Sequence, residues 1–317
     1  MHFSTLLSAH GLIAAAVLLS GLAAATKAPT YPGYSLIWQD SFVGTAGSSP
    51  SQANWQIIKG YLNVNGEAEV YSDSNSNLQL SGGGTIQLVP QKDPSKPGAT
   101  AGWTSARIVS TLNIRPYAGG VTRIEGSIRM GANPASQKQG IWPAFWLLGA
   151  SNQVGTKWPD CGELDIMEQR NGVQTGFGTV HCGNVTNGGT CNEPNGIGGS
   201  VAIPASRKKR DAQGTFANAT VDANDNSFHV WTITWDLTNS NWLNQKIEWA
   251  VDGRNYFSIA GQRINDQKIW NTLTQDPYNI IFNVAVGGGF PGAPNSATKG
   301  GYGSMMEVQY VAVYSSS

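Results

Sequence analysis

Three carboxylates stand within six residues in Gly162-Glu163-Leu164-Asp165-Ile166-Met167-Glu168, interleaved with apolar side chains in a chain of 317 residues that has only 20 Asp+Glu. Acids set into an apolar strand are costly to desolvate, which marks the segment as a candidate for chemistry. On a regular strand Glu163 and Asp165 share a face while Glu168 points to the opposite one. A β-bulge at Ile166 or Met167 would return Glu168 to the face of the other two, and bulges gather beside active sites. Positions 163 and 168 would still be about four rises of roughly 3.3 Å apart, so the carboxylates converge only on a sheet concave toward its ligand. Two carboxylic acids about 5–5.5 Å apart suit retaining glycosidic cleavage, one attacking the anomeric carbon while the other protonates the departing oxygen. Like-charge repulsion among three crowded acids also separates their pKa values, so that one keeps a proton while another stays ionised. A calcium site or a solvated acidic edge strand competes for the same spacing. Calcium sites usually draw on loop carbonyls as well, and an edge strand would not be flanked by Leu164, Ile166 and Met167.

The elements that must position these acids read as short strands bounded by Gly, Pro, Asn and Ser clusters. Phe228 to Asp236 alternates His229, Trp231, Ile233 and Trp235 against Val230, Thr232 and Thr234. Lys246 to Asp252 sets Ile247, Trp249 and Val251 on one face, and Asp252-Gly253 turns the chain into a strand at 254–259. Further strands are expected at 34–39, 84–89, 104–110, 121–130, 141–148, 162–168, 176–182, 279–286 and 305–314. No run at helical spacing is convincing, and the stretch 183–227, rich in Asn, Gly and Pro, reads as the loosest. The composition, with 39 Gly, 15 Pro and 40% apolar residues including 11 Trp, excludes intrinsic disorder and disfavours helices. An all-β protein with a single domain over 26–317 is expected.

Twenty Lys+Arg balance the acids to a formal net charge of zero. A chain without a basic surplus lacks the electrostatic footprint of a nucleic-acid binder or of a protein drawn to anionic lipid. Residues 1–25 read as a secretory signal: Leu6 to Leu22 is nearly all apolar and Ala23-Ala24-Ala25 supplies small residues for cleavage, with His2 and the terminal amine in place of the usual basic residues. Secretion permits a disulfide, and three cysteines leave one over. Cys182 and Cys191 enclose a Gly- and Asn-rich loop and are the first choice of pair. Cys161 is the rival partner for Cys182, because Asn171-Gly172 lies midway and would fold the two opposite each other in a hairpin. Asn184 and Asn218 head glycosylation sequons. Arg207-Lys208-Lys209-Arg210 is a processing site or a solvated loop.

The signature ELDIME at 163–168 resembles the E-x-D-x-x-E pattern of glycoside hydrolase family 16, the concanavalin A-like β-jelly-roll enzymes that include laminarinases and mixed-linkage β-glucanases. Its surroundings agree in order: Thr104 to Ile108, the Trp-rich run Gly140 to Leu148, Trp158-Pro159, Gly178 to His181, and Phe282 to Gly288. The resemblance implies a jelly-roll sandwich with a concave substrate cleft, Glu163 as nucleophile, Glu168 as acid/base and Asp165 as the assisting carboxylate. His181 would hydrogen-bond a carboxylate or the sugar. Trp142, Trp146 and Trp158 are candidate stacking platforms for sugar faces, since aromatic faces combine area with rigidity, whereas Trp231, Trp235 and Trp249 suit the core. Arg107 would clamp sugar hydroxyls or pair with an acid.

The chain departs from the family at Gly289-Phe290-Pro291, where Phe290 replaces a common Trp, and at Ser41 and Gln309, which stand where many members have acids and so weaken the case for their structural calcium. The expectation is a secreted, monomeric endo-β-glycanase without cofactor or bound metal, cleaving β-1,3 linkages in β-1,3-glucan or mixed-linkage β-1,3(4)-glucan with retention. An endo-β-1,3-galactanase and a cell-wall glucan transglycosylase are the alternatives, and a non-catalytic glucan-binding protein is a more distant one. Uncharged polysaccharide is a partner that needs no electrostatic steering, which suits a chain with 13% charged residues.

Overall fold

A computed structural model describes residues 26–203 and 226–317. Two antiparallel sheets pack face to face. One runs, in spatial order, through Ile197–Ala202, Thr175–His181, Glu163–Glu168, Ile141–Gly149, Tyr278–Val286, Arg107–Ser110 and Trp55–Ile57. The other runs through Arg254–Ala260, Lys246–Val251, His229–Asp236, Val121–Met130, Met306–Ser316, Ile86–Leu88 and Leu78–Leu80, with Ser35–Asp40 also paired to Met306–Ser316. A small third sheet sets Glu69–Tyr71 parallel to Trp103–Ser105, which pairs with Gln91–Lys92.

The period-two patterns decide which face each sheet buries. Phe145 and Leu147, Leu164 and Ile166, Val180, and Ile280, Phe282 and Val284 all enter one hydrophobic cluster with Trp231, Ile233, Trp235, Ile247, Trp249 and Val251 of the opposing sheet. Phe145 and Phe282, opposite each other in register, stack at 4.6 Å. Each large side chain of this kind contributes about 1.5–3 kcal/mol when fully buried. Trp231, Trp235 and Trp249 are buried as the sequence suggests.

The long strands fall where the alternation places them. Four short strands, at 55–57, 69–71, 78–80 and 91–92, carry too few residues to show a period. Two readings are corrected. A nine-residue α-helix, Gln267–Gln275, forms because the Asp266 side chain caps it, accepting from the Ile269 N–H at 3.1 Å, and because Trp270 and Leu273 turn into the core. The stretch expected to be loose contains the edge strand Ile197–Ala202, paired along its length with Thr175–His181. Cys182 is bonded to Cys191, and Cys161 is a buried free thiol. The Asn171-Gly172 turn does form, with both residues at positive φ (57° and 65°), and the hairpin it closes pairs Glu163 with His181. Asn184 is exposed, whereas Asn218, Arg207 to Arg210 and the signal-like segment lie outside the described residues. Among the described residues no helix is long and apolar enough to cross a membrane.

Close approach of the two sheets depends on a glycine in Thr175–His181, the strand beside the signature strand. A Cβ at Gly178 would lie 2.6 Å from the Tyr256 hydroxyl and 2.7 Å from the Trp249 ring. Overpacking of a tight core typically costs about 1–3 kcal/mol, so Gly178→Ala is expected to lower stability by that amount, read as a reduced Tm in calorimetry. An unchanged Tm would show that these two rings can give way.

Candidate active site

The pairing register resolves the parity of the signature strand. On one side Glu163, Asp165 and Glu168 face Leu148, Trp146 and Ala144; on the other they face His181, Thr179 and Phe177. The neighbours advance by two residues at every step, while the acids advance by two and then by three. Ile166 is the extra residue, skipped where Phe145 pairs with Met167 and Trp146 with Asp165. All three carboxylates therefore share the face that looks away from the core, as a bulge there requires. The carbonyls of the bulge are satisfied from the opposing sheet: the Trp249 indole donates to the Asp165 carbonyl at 2.8 Å and the Tyr256 hydroxyl to that of Ile166 at 3.1 Å.

Each acid has its own surroundings. The Trp142 indole N–H donates to Glu168 Oε1 at 2.8 Å. His181 places Nε2 3.4 Å from Asp165 Oδ2 and 3.9 Å from Glu163 Oε1. Its Nδ1 lies 2.7 Å from Glu193 Oε2, and the other oxygen of Glu193 accepts from the Cys182 N–H at 2.8 Å. Burial pushes the Glu163 carboxyl up, Asp165 adds to this, and the charges of His181 and Arg107 oppose it. Burial and then the Asp165 charge push Glu168 well above the ordinary carboxylate range, against the Trp142 hydrogen bond. Burial works against the His181 charge, but its contacts with Asp165 and Glu193 outweigh burial and push the ring up to about 11. The site thus holds an imidazolium between carboxylates, with a proton retained preferentially on Glu168.

Glu163, Asp165 and His181 bring donor atoms within 4.8 Å of one another, a spacing that could hold a cation. Both His181 nitrogens face carboxylates, however, and a protonated ring cannot ligate. The donor set therefore fits an ion-pair cluster better than a metal centre.

Aromatic side chains flank the acids on both sides. Trp142 packs against Phe290 at 5.3 Å, and Phe177 meets Phe290 edge-on at 5.5 Å. Arg170 lies 4.4 Å over the Phe290 ring and donates to the Phe290 carbonyl at 2.9 Å. On the other side Trp158 sits 5.4 Å from the His181 ring. Trp146, opposite Asp165, carries the Arg107 guanidinium 4.9 Å from its ring and donates to Asn283 Oδ1 at 2.7 Å; Asn283 in turn donates to the Tyr71 hydroxyl at 3.1 Å. Beyond Trp142, a cavity of about 670 Å³ opens between Tyr61, Asn65 and Glu67 on one side and Gly287 to Gly289 on the other.

A model of the XgeA-like catalytic domain of glycoside hydrolase family 16 matches residues 124–232. The crystal structure of an endo-1,3-beta-glucanase from Streptomyces sioyaensis is 37% identical, with a TM-score of 0.79 over 92% of this chain and 100% of that one. The chain belongs to glycoside hydrolase family 16. It is also similar to glucan endo-1,3-beta-glucosidase A1 of Niallia circulans, 28% identical over 90% of this chain, of whose length it spans 38%. The beta-glucanase of Rhodothermus marinus is 27% identical over 89% of this chain and 86% of its own. The two packed sheets are thus the jelly-roll sandwich of the family.

In this family 16 hydrolase the expected catalytic and substrate-binding residues lie on or beside the face that carries the acids. Two roles change. Both His181 nitrogens are committed to carboxylates, which leaves none for a sugar. Arg107 forms no ion pair within 4.0 Å among the described residues; it stacks on Trp146, and its Nε is buried without a partner. Sequence reasoning missed Glu193, Asn283, Tyr71, Phe177, Arg170, Trp249 and Tyr256. Of these Glu193 left a trace, as an acid beside Cys191 and Pro194 in a chain sparing of acids.

The Trp142 hydrogen bond favours the ionised form of Glu168, so its removal must raise the pKa of that carboxyl further. In Trp142→Phe the Glu168 carboxyl is expected to titrate at higher pH than in the parent, measured by carbon NMR of labelled glutamate. An unmoved or lowered titration would contradict the contact.

Proposed function

We propose that this protein is a secreted, monomeric endo-β-1,3-glucanase that hydrolyses β-1,3 linkages in β-1,3-glucan or mixed-linkage β-1,3(4)-glucan with retention of configuration. The observation that carries the reading is the set of three carboxylates on one face, with the Trp142 indole donating to Glu168 at one end and His181 beside Asp165 and Glu163 at the other. The similarity to endo-1,3-beta-glucanases along nearly the whole chain supports the linkage. The signal-like segment 1–25 and the Cys182–Cys191 bond support secretion. The exposed Asn184 sequon fits glycosylation in that compartment, and residues 26–317 form the catalytic domain.

Glu163, beside both His181 and Arg107, is the carboxylate whose charged form has the greater cationic support, which suits attack on the anomeric carbon. Glu168, the acid that burial most strongly keeps protonated, gives its proton to the leaving oxygen. Its ionised form then takes a proton from the water that opens the glycosyl-enzyme. Asp165 lies between them in register, and its charge works against ionisation of both. Trp142, Trp146, Trp158 and Phe290 offer apolar faces for sugar rings, a mode of recognition that needs no charge on the ligand.

Glu163→Gln is expected to abolish turnover of laminarin while leaving the fold and polysaccharide affinity intact; undiminished hydrolysis would remove Glu163 from the nucleophile role. In Glu168→Ala activity should survive best on substrates with activated leaving groups, which need little protonation, and equal loss on all substrates would contradict its acid role. The parent enzyme is expected to release oligosaccharides from laminarin and not from β-1,3-galactan; the reverse profile would overturn the substrate assignment. Transglycosylation would show as elongated products in the same assay.

A further inference from the structure

Glu193 is the fourth acid of this cluster, and no step of the proposed reaction uses it. Its side chain is fully buried, 0% exposed, although it sits on a Gly- and Asn-rich loop outside the sheet strands. A buried carboxylate on a loop is costly unless its oxygens are satisfied, and here each has one partner: the Cys182 N–H for Oε1 and His181 Nδ1 for Oε2. The loop that delivers it is closed by the Cys182–Cys191 bond, nine residues apart, and Glu193 follows two residues after the second cysteine. The first cysteine is next to His181 in sequence and also supplies the backbone donor. The disulfide therefore ties both ends of the Glu193–His181 contact to the end of one strand.

We propose that Glu193 is a positioning residue: through its hydrogen bond to Nδ1 it keeps His181 in the imidazolium form and turned toward Asp165 and Glu163, with the Cys182–Cys191 loop as its mount. The geometry requires the charged form. Glu193 as a carboxylate only accepts, so Nδ1 carries a hydrogen, and Nε2 then needs one of its own to face Asp165 and Glu163 without repulsion. A histidine held between acids in this way offsets the mutual repulsion of Glu163 and Asp165, and so favours the ionised carboxylate that attacks the sugar. Without Glu193 the ring could lose its proton or rotate toward Trp158, 5.4 Å away. The inference rests on the assignment of Glu163 as nucleophile for its effect on rate, but its effect on the ring does not.

Two measurements test it. In Glu193→Gln an amide that accepts from the Cys182 N–H turns its NH₂ toward Nδ1, which can then no longer carry a hydrogen, so His181 becomes neutral. The variant is expected to lose kcat by about tenfold or more with little change in KM. The acidic limb of its kcat/KM profile moves to higher pH by about one unit, because the nucleophile has lost a neighbouring positive charge. Loss of rate with an unmoved acidic limb would reduce Glu193 to a packing residue and overturn the proposal, as would unchanged kcat. The second measurement needs no turnover: in the unmodified protein, histidine NMR should show the His181 ring protonated on both nitrogens throughout the neutral range. A ring that titrates near the ordinary histidine value of about 6.5 would overturn the proposal whether or not the variant folds. If Glu163→Gln remained active while His181 stayed doubly protonated, the nucleophile assignment would fail and the Glu193–His181 pairing would stand.

Discussion

The site depends on one irregularity, the extra residue at Ile166. A strand that alternates strictly cannot put acids at 163, 165 and 168 on one face, and the bulge makes them successive members of a single row opposite Leu148, Trp146 and Ala144. A bulge disturbs the ladder locally, so backbone polar groups there need partners from elsewhere. Trp249 and Tyr256 provide them across the core, reaching the Asp165 and Ile166 carbonyls over a glycine that leaves them room. Core packing and catalytic geometry are therefore the same interaction seen from two sides. The tryptophan that reads as packing from its position in an alternating strand also holds the backbone of the central acid.

Electrostatics then differentiates three acids that the backbone has made equivalent. Burial pushes Glu163 and Glu168 toward the neutral form. His181 and Arg107 both support the charge on Glu163, while Glu168 has the Trp142 indole and a weaker influence of His181. That asymmetry makes Glu168 the acid that holds its proton more firmly and Glu163 the one that gives it up first. The same end of the row is fastened outside the sheet by the Cys182–Cys191 loop through Glu193. Trp158, Glu163, Asp165 and Glu193 thus converge on one histidine.

Much of this was legible in the sequence, for identifiable reasons. The long strands announce themselves by period-two alternation, and the Asn171-Gly172 turn fixes the hairpin that sets His181 opposite Glu163. The bulge could be inferred because the spacing of the acids makes no sense without it. The three-residue strands could not, since three residues carry no period. The Gln267–Gln275 helix hides because its buried face rests on Trp270, Leu273 and Thr274, with Ile269 as its one other apolar residue and an Asp cap as its one start signal. The role of Glu193, which leaves only the trace of an acid near Cys191, and the Asn283–Tyr71 pair are hidden for a different reason: they exist only through contacts between segments with no fixed spacing along the chain. The choice between Cys161 and Cys191 was likewise open in sequence, because a turn midway between two cysteines is compatible with a bond that the fold does not make.

The claim on which the rest turns is that the carboxylate with cationic support attacks the sugar and the carboxylate beside Trp142 protonates it. A laminaribioside bearing fluorine at C2 and a good leaving group should form the glycosyl-enzyme readily and lose it slowly, because the fluorine retards both steps and the leaving group restores only the first. Digestion and mass spectrometry of the treated protein then locate the sugar. The account predicts a single label, esterified to Glu163; a label on Glu168 or Asp165, or hydrolysis with no covalent intermediate and inverted product, would contradict it.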